Sequence, residues 1–205
     1  MNEFEDLIYR ATLSEAYLNY CTEIYGYEMC LFSMMDKSQL DFLFHNISIG
    51  KNSSILDLGC GNGCILDYLV RKYGCRGVGI DQLDAKAFKN YNKSIQYIDG
   101  SMDELEPYGI HSDITISVDS LYFCNDLDKL LHTLTNQKEN RLYLYYSQYI
   151  FDGEHTDKDI LTCNNTRLAR SLNLAGINYR VIKENKLGKE LYDSDRASRF
   201  LYIVE

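Results

Sequence analysis

The segment Asp57-Leu58-Gly59-Cys60-Gly61-Asn62-Gly63 joins an apolar run, Ser54 to Leu58, to an amphipathic stretch that begins at Cys64. Glycines at alternate positions let backbone amides come close to a ligand, and the helix start beyond them favours negative charge. A second apolar run, Gly77-Val78-Gly79-Ile80, ends in Asp81, 18 residues after Gly63. At that distance in a strand–turn–helix–strand unit, a carboxylate can accept hydrogen bonds from both hydroxyls of an adenosine ribose. Dinucleotide binders share this context but space their glycines GxGxxG. Here the spacing is GxGxG, and an acid, Asp57, stands two places before Gly59.

These residues need a scaffold that aims them at one place. The runs Ser54 to Leu58, Arg76 to Ile80, Ile95 to Ile98, Asp113 to Val118, Arg141 to Ser147, Tyr179 to Lys183 and Phe200 to Val204 read as strands. Amphipathic stretches lie at Cys64 to Tyr73, Asp84 to Tyr91, Asp126 to Asn136 and Thr162 to Ala175. Alternating β and α elements with near-continuously apolar strands imply a buried, mostly parallel sheet with helices on both faces. The last two strands follow each other with no long helix between them, which suggests an antiparallel finish. The expected fold is a Rossmann-like, doubly wound, seven-stranded α/β sheet. Residues 1–50 read as a helical cap or lid and 51–205 as the main domain. Leu40, Leu43, Phe44 and Ile47 recur at helical spacing, with Asp36 as an N-cap.

In an open parallel sheet, ligands bind beyond the carboxyl ends of the strands. That rule sorts the four histidines. His111 precedes the fourth strand, His45 ends an N-terminal helix, and His132 sits on the helix after the fourth strand. His155 alone follows a strand end, in a loop that could cover the site and supply a base. Four carboxylates also follow strand ends: Asp119, Asp126, Asp152 and Glu154, accompanied by Tyr122, Phe123, Tyr149 and Phe151. Acids with aromatic faces suit a cationic or amine-bearing small molecule.

The pattern (D/E)xGxG at Asp57-Leu58-Gly59-Cys60-Gly61, followed by Asp81, Gly100-Ser101-Met102 and Val118-Asp119-Ser120, resembles the class I S-adenosylmethionine-dependent methyltransferases. The resemblance covers residues 53–147 well and the rest loosely. It implies S-adenosylmethionine as cofactor and methyl transfer by in-line attack on the sulfonium methyl. It implies that Asp57 orients the loop and the donor's ammonium, while Gly59, Cys60 and Gly61 pack against the methionine part. Asp81 would bind the ribose, Gln82 pack by the adenine, Gly100 and Met102 form the adenine wall, and Ser101 contact the adenine edge. The family often carries Asp where Ser101 stands, and Asp99 could substitute. Asp119 would lie where donor meets acceptor. Tyr25, beside Gly26 at a helix end, stands where related small-molecule enzymes often carry a tyrosine near the donor. Asp119, His155 and Tyr25 are thus the candidate catalytic residues. The alternatives are an RNA methyltransferase and a non-catalytic cofactor-binding module.

Composition narrows these classes. The chain has 205 residues, 45% hydrophobic and 25% charged, with one proline, which suits one soluble globular domain. Twenty-one basic residues face 30 acidic ones, a net charge of -9. An acidic body argues against a nucleic-acid groove. The fourth strand runs into Val-Asp-Ser-Leu-Tyr-Phe, with no (N/D)PP(Y/F) tetrad of the kind that methylates exocyclic amines of bases. A small-molecule acceptor is the expected partner. No apolar stretch approaches the ~18 residues of a membrane span, and the acidic start MNEFEDLIYR has no secretory-signal pattern. With seven scattered cysteines, these features read as a cytoplasmic protein. No Cys or His set has zinc-ligand spacing, so no metal is expected.

Overall fold

The computed structural model describes residues 3–27, 29–31, 35, 37–83, 92–147, 166–183 and 199–204. Seven strands form one sheet: β1 (Ser54–Leu58), β2 (Arg76–Asp81), β3 (Ile95–Asp99), β4 (Ile114–Val118), β5 (Arg141–Ser147), β6 (Arg180–Lys183) and β7 (Arg199–Val204). Each agrees with its expected run to within one residue at either end. Their order is β3-β2-β1-β4-β5-β7-β6. The first five pair in parallel, and β7 runs antiparallel to both β5 and β6. The chain works outward from β1 to β3, then crosses back to β4 on the other side of β1. This reversal opens a crevice at the carboxyl ends of β1 and β4.

Alternation along the strands divides the core in two. In β5, Tyr143 and Tyr145 face one side while Leu142, Leu144 and Tyr146 face the other; β7 divides likewise into Leu201 and Ile203 against Phe200, Tyr202 and Val204. On the first face lie α2 (Glu15–Tyr25), α3 (Lys37–Asn46) and α4 (Cys64–Tyr73). On the second lie α5 (Leu127–Thr135), through Leu127, Leu130, Leu131 and Leu134, and α6 (Arg167–Leu174), through Leu168 and Leu172. Burying helices on both faces explains why the central parallel strands β1 and β4 are buried at nearly every position.

The first 50 residues contribute α1 (Glu3–Leu13), α2 and α3. Ser14 caps α2 by accepting from the Tyr17 amide, and Gly26 ends it in the left-handed region at φ 63°. Cys21, Tyr25, Met29, Cys30, Leu31, Met35, Leu40 and Leu43 enter the same core as Ile55, Leu66, Ile116 and Tyr143. The expected cap therefore shares a continuous apolar interior with the sheet. Asp36 and the helix expected over Asp84 to Tyr91 lie outside the described residues. Of the stretch Thr162 to Ala175, the described part begins at Thr166, which caps α6 by accepting from the Ala169 amide.

Candidate functional site

The glycine loop is pinned to β2: the amides of Gly59 and Cys60 both donate to the Ile80 carbonyl, at 2.9 and 3.1 Å. Gly59 sits at φ 69°, and a Cβ there would fall 2.4 Å from the Ser120 Cβ, so no side chain fits. Gly61, at φ 54°, has nothing within 4 Å of its Cβ position. Its Cα therefore faces open space at the carboxyl end of β1. The Gly61 amide donates to Asp81 Oδ2 at 2.7 Å, and the Leu83 amide donates to Asp81 Oδ1 at 2.8 Å. Asp81 thus shapes the loop, and a carboxylate has about four acceptor positions, which leaves capacity for sugar hydroxyls.

Asp57 is 3% exposed. No described residue donates a hydrogen bond to its carboxyl. Burial, reinforced by the charge of Asp81, pushes its pKa up to about 8. A buried carboxylate without a partner is costly, and a cationic group brought to it would relieve that cost. The ammonium of S-adenosylmethionine is such a group, so the residues present fit this cofactor. Cys60 packs its sulfur against Gly79. Burial, then the carboxyls of Asp57 and Asp81, push its thiol well above the usual range. A thiol kept protonated in this way is a poor nucleophile.

At the end of β3, Asp99 pairs in register with Asp81, and the Gly100 amide donates to the Asp81 carbonyl at 2.8 Å. Gln82 and Asp99 are exposed on this rim. The Ser101 hydroxyl accepts from the Asp103 amide at 3.2 Å and caps a short 3-10 turn, Met102–Glu104. That turn holds the hydroxyl expected at an adenine edge. Met102 lies with its methyl against Gly59. Beyond β4, Asp119 adopts φ 51°, and its amide donates to the Tyr145 carbonyl at 2.9 Å. Positive φ at a non-glycine residue stores strain and is enriched at functional sites. Ser120, buried, donates to the Leu58 carbonyl at 2.6 Å.

The structure therefore brings Asp57, Gly59, Cys60, Gly61, Asp81, Gln82, Asp99, Gly100, Ser101, Met102 and Asp119 to the carboxyl ends of β1 to β4. Tyr25 ends α2 as expected, but it is 3% exposed within the first-face core. His155, Tyr149, Phe151, Asp152 and Glu154 lie outside the described residues. Asp126 is occupied as the N-cap of α5, accepting from the Lys129 amide at 3.0 Å. Three further residues brace the surroundings of the site without a local sequence signal. Buried Asn62 donates from Nδ2 to the Cys30 carbonyl at 2.5 Å and accepts from the Cys64 amide at 3.3 Å, tying the N-terminal region to the loop. Asp103 accepts from the Cys124 thiol and from the Asn125 and Asp126 amides. Burial alone would raise its pKa, but these bonds outweigh it and hold the carboxyl at about 2. Arg167 donates to the carbonyls of Cys124 and Asn125. Among the described residues, no group of three His, Cys, Asp or Glu is placed to hold a metal, and no helix is long and apolar enough to cross a membrane.

Residues 56–137 match the family described as "Methyltransferase domain". No curated protein sequence matches the chain. A chain from the complex of the Haloferax volcanii Trm112 methyltransferase activator with a methyltransferase superposes with a TM-score of 0.61 at 14% identity, covering 98% of this chain and 95% of that one. Geranyl diphosphate C-methyltransferase from Streptomyces coelicolor, solved with S-adenosyl-L-homocysteine, gives 0.62 at 13% identity, covering 82% and 78%. Haemonchus contortus phosphoethanolamine N-methyltransferase 2, solved with phosphomonomethylethanolamine and S-adenosylhomocysteine, gives 0.63 at 13% identity, covering 100% and 60%. At these identities the likeness is one of fold.

Proposed function

We propose that the chain, whose residues 56–137 match the methyltransferase domain family, is a class I S-adenosylmethionine-dependent methyltransferase that methylates a small-molecule acceptor bearing an amine. The cofactor supplies a methyl group already activated on a sulfonium. The protein's task is then alignment. We assign Asp57, Gly59, Cys60 and Gly61 to the amino-acid end of the cofactor and Asp81 to its ribose. Gln82, Asp99, Gly100, Ser101 and Met102 go to the adenine. Residues 1–50 are assigned to closing the site, with Asn62 as their point of attachment.

The observation that carries the acceptor class is Asp119, held at positive φ where β4 ends and followed by an aromatic pair. Tyr122 and Phe123 meet edge to face at 4.6 Å, and Phe123 is 68% exposed. A carboxylate close in sequence to exposed aromatic surface suits a cation, through charge and ring quadrupole. An amine must lose a proton to attack, and we assign that proton to Asp119; His155 and Tyr25 are the other candidates for proton handling. A fold neighbour that acts on phosphorylated ethanolamines supports an amine, and the acidic body of the chain agrees with it. Incubating the protein with isotopically labelled methyl donor and panels of amines, phenols, thiols, carboxylates and RNA tests this reading. Label transfer to amines is expected. Transfer only to the other classes refutes the amine while leaving methyl transfer intact.

A further inference from the structure

Asp103 gathers more donors than the geometry of its own turn requires. Its Oδ1 accepts from the Asn125 amide at 2.9 Å, the Asp126 amide at 3.0 Å and the Cys124 thiol at 3.0 Å. Its Oδ2 accepts from Asn125 Nδ2 at 2.8 Å and from the Ser101 hydroxyl at 3.2 Å. From the opposite side, the Arg167 guanidinium donates to the Cys124 carbonyl at 2.9 Å and the Asn125 carbonyl at 3.1 Å. The peptide from Cys124 to Asp126 is thereby gripped at its amides by one charge and at its carbonyls by the opposite one. Such charge-assisted bonds are short and directional.

This peptide ends the span 119–126, which leaves β4 and carries Asp119, Tyr122 and Phe123. The span's other end is fixed by Ser120, whose hydroxyl reaches the Leu58 carbonyl and whose Cβ abuts Gly59. Asp103 directly follows Met102, whose methyl also lies against Gly59. Both ends of the acceptor-side span therefore rest on the residues assigned to the cofactor. Between those ends there is only the 3-10 turn Leu121–Phe123. Leu121 and Cys124 point inward while Phe123 protrudes. We propose that Asp103 is a positioning residue which transmits the ordering of the cofactor wall, Gly59 and Met102, to the acceptor-side span 119–126. The inference rests on the cofactor reading of those two residues.

Hydrogen exchange on the full chain, with S-adenosylhomocysteine as the probe, tests it. Saturating probe should slow exchange across 119–126 about tenfold in the wild type. Asp103→Asn should bind the probe within about threefold of the wild-type affinity yet lose that slowing. Arg167→Gln should do the same from the other side, and it carries the test if Asp103→Asn fails to fold. Asp113→Asn is the control. Asp113 is a comparable clamp at the amino end of the sheet, accepting from the Ser54 amide at 2.7 Å and its hydroxyl at 2.9 Å. It should lower the melting temperature but keep the slowing. No slowing in the wild type, or full slowing in Asp103→Asn, overturns the positioning role. Failure of the wild type to bind the probe overturns the cofactor reading and this inference together, whereas binding without slowing overturns only the inference.

Discussion

Replacing Asp57 by asparagine keeps the shape of a buried side chain and removes its charge. In the folded protein this carboxyl titrates at about 8, against 3.8 in an exposed chain, because it is buried and faces Asp81. Between these values the folded state holds a proton that the unfolded state has released, so wild-type stability falls as pH rises through that window. Each pH unit is worth about 1.4 kcal/mol, so the advantage of Asp57→Asn should grow from about 2 kcal/mol at pH 5 toward 5–6 kcal/mol above pH 8 and then level off. Urea denaturation of both proteins at pH 5, 7 and 9, followed by circular dichroism, measures the difference, and contributions from other groups cancel in it. The same substitution should abolish cofactor binding by removing the ammonium's partner, giving a protein more stable and less functional at once. In the wild type, cofactor affinity should rise with pH from 6 to 8 as the carboxyl ionises, and calorimetry at pH 7 in buffers of different ionisation enthalpy should detect proton release. Stabilities that run parallel across pH, or affinity that ignores pH, would refute the assignment of a buried, unpaired carboxyl awaiting a cation.

Asp81→Ala removes the acceptor of the Gly61 amide as well as a proposed ribose contact, and calorimetry should show S-adenosylhomocysteine binding weakened by about 1–3 kcal/mol or more. Gly59→Ala places a methyl 2.4 Å from the Ser120 Cβ at positive φ, and its thermal melt should show a loss of roughly 2–4 kcal/mol together with lost probe binding. Asp119→Asn should depress turnover about tenfold or more while cofactor affinity, read by calorimetry, changes little. Deleting residues 1–30 strips Cys21, Tyr25, Met29 and Cys30 from the first-face core; turnover should collapse and the melting temperature fall, and full activity in the truncated protein would remove the lid assignment.

The strands were legible because burial on both faces of the central sheet favours apolar and β-branched residues at most positions, which leaves short runs bounded by glycine or polar residues. The glycine loop was legible for a different reason: positive φ and close packing permit only glycine at Gly59, where the Ser120 side chain fills the space. What escaped are contacts whose partners are distant in the chain. Asp103 meets Cys124, Asn125 and Asp126, and Asn62 meets Cys30, through pairings that no local pattern encodes. Local competition misled in smaller ways. A serine before a tight turn tends to cap it, so the Ser101 hydroxyl has a second task in the Met102–Glu104 turn that the sequence pattern does not separate from the adenine contact assigned to it. An aspartate before a helix does likewise, which withdraws Asp126 from the set of acids suited to an amine. Tyr25 shows that a helix-end position inferred by resemblance says nothing of burial.

In β7, order of synthesis and order in space disagree. The strand follows β6 in the chain yet inserts between β5 and β6, pairing six residues with β5 and four with β6. Until Arg199 to Val204 have emerged from the ribosome, β5 exposes one bare edge along its seven residues, and Tyr143, Leu144, Tyr145 and Tyr146 lack their cross-strand neighbours. Such an edge recruits any other strand that meets it. Translation that stops short of residue 199 therefore leaves a nascent chain bearing every residue assigned to the cofactor beside an adhesive sheet edge, one that chaperones must shield or proteases clear.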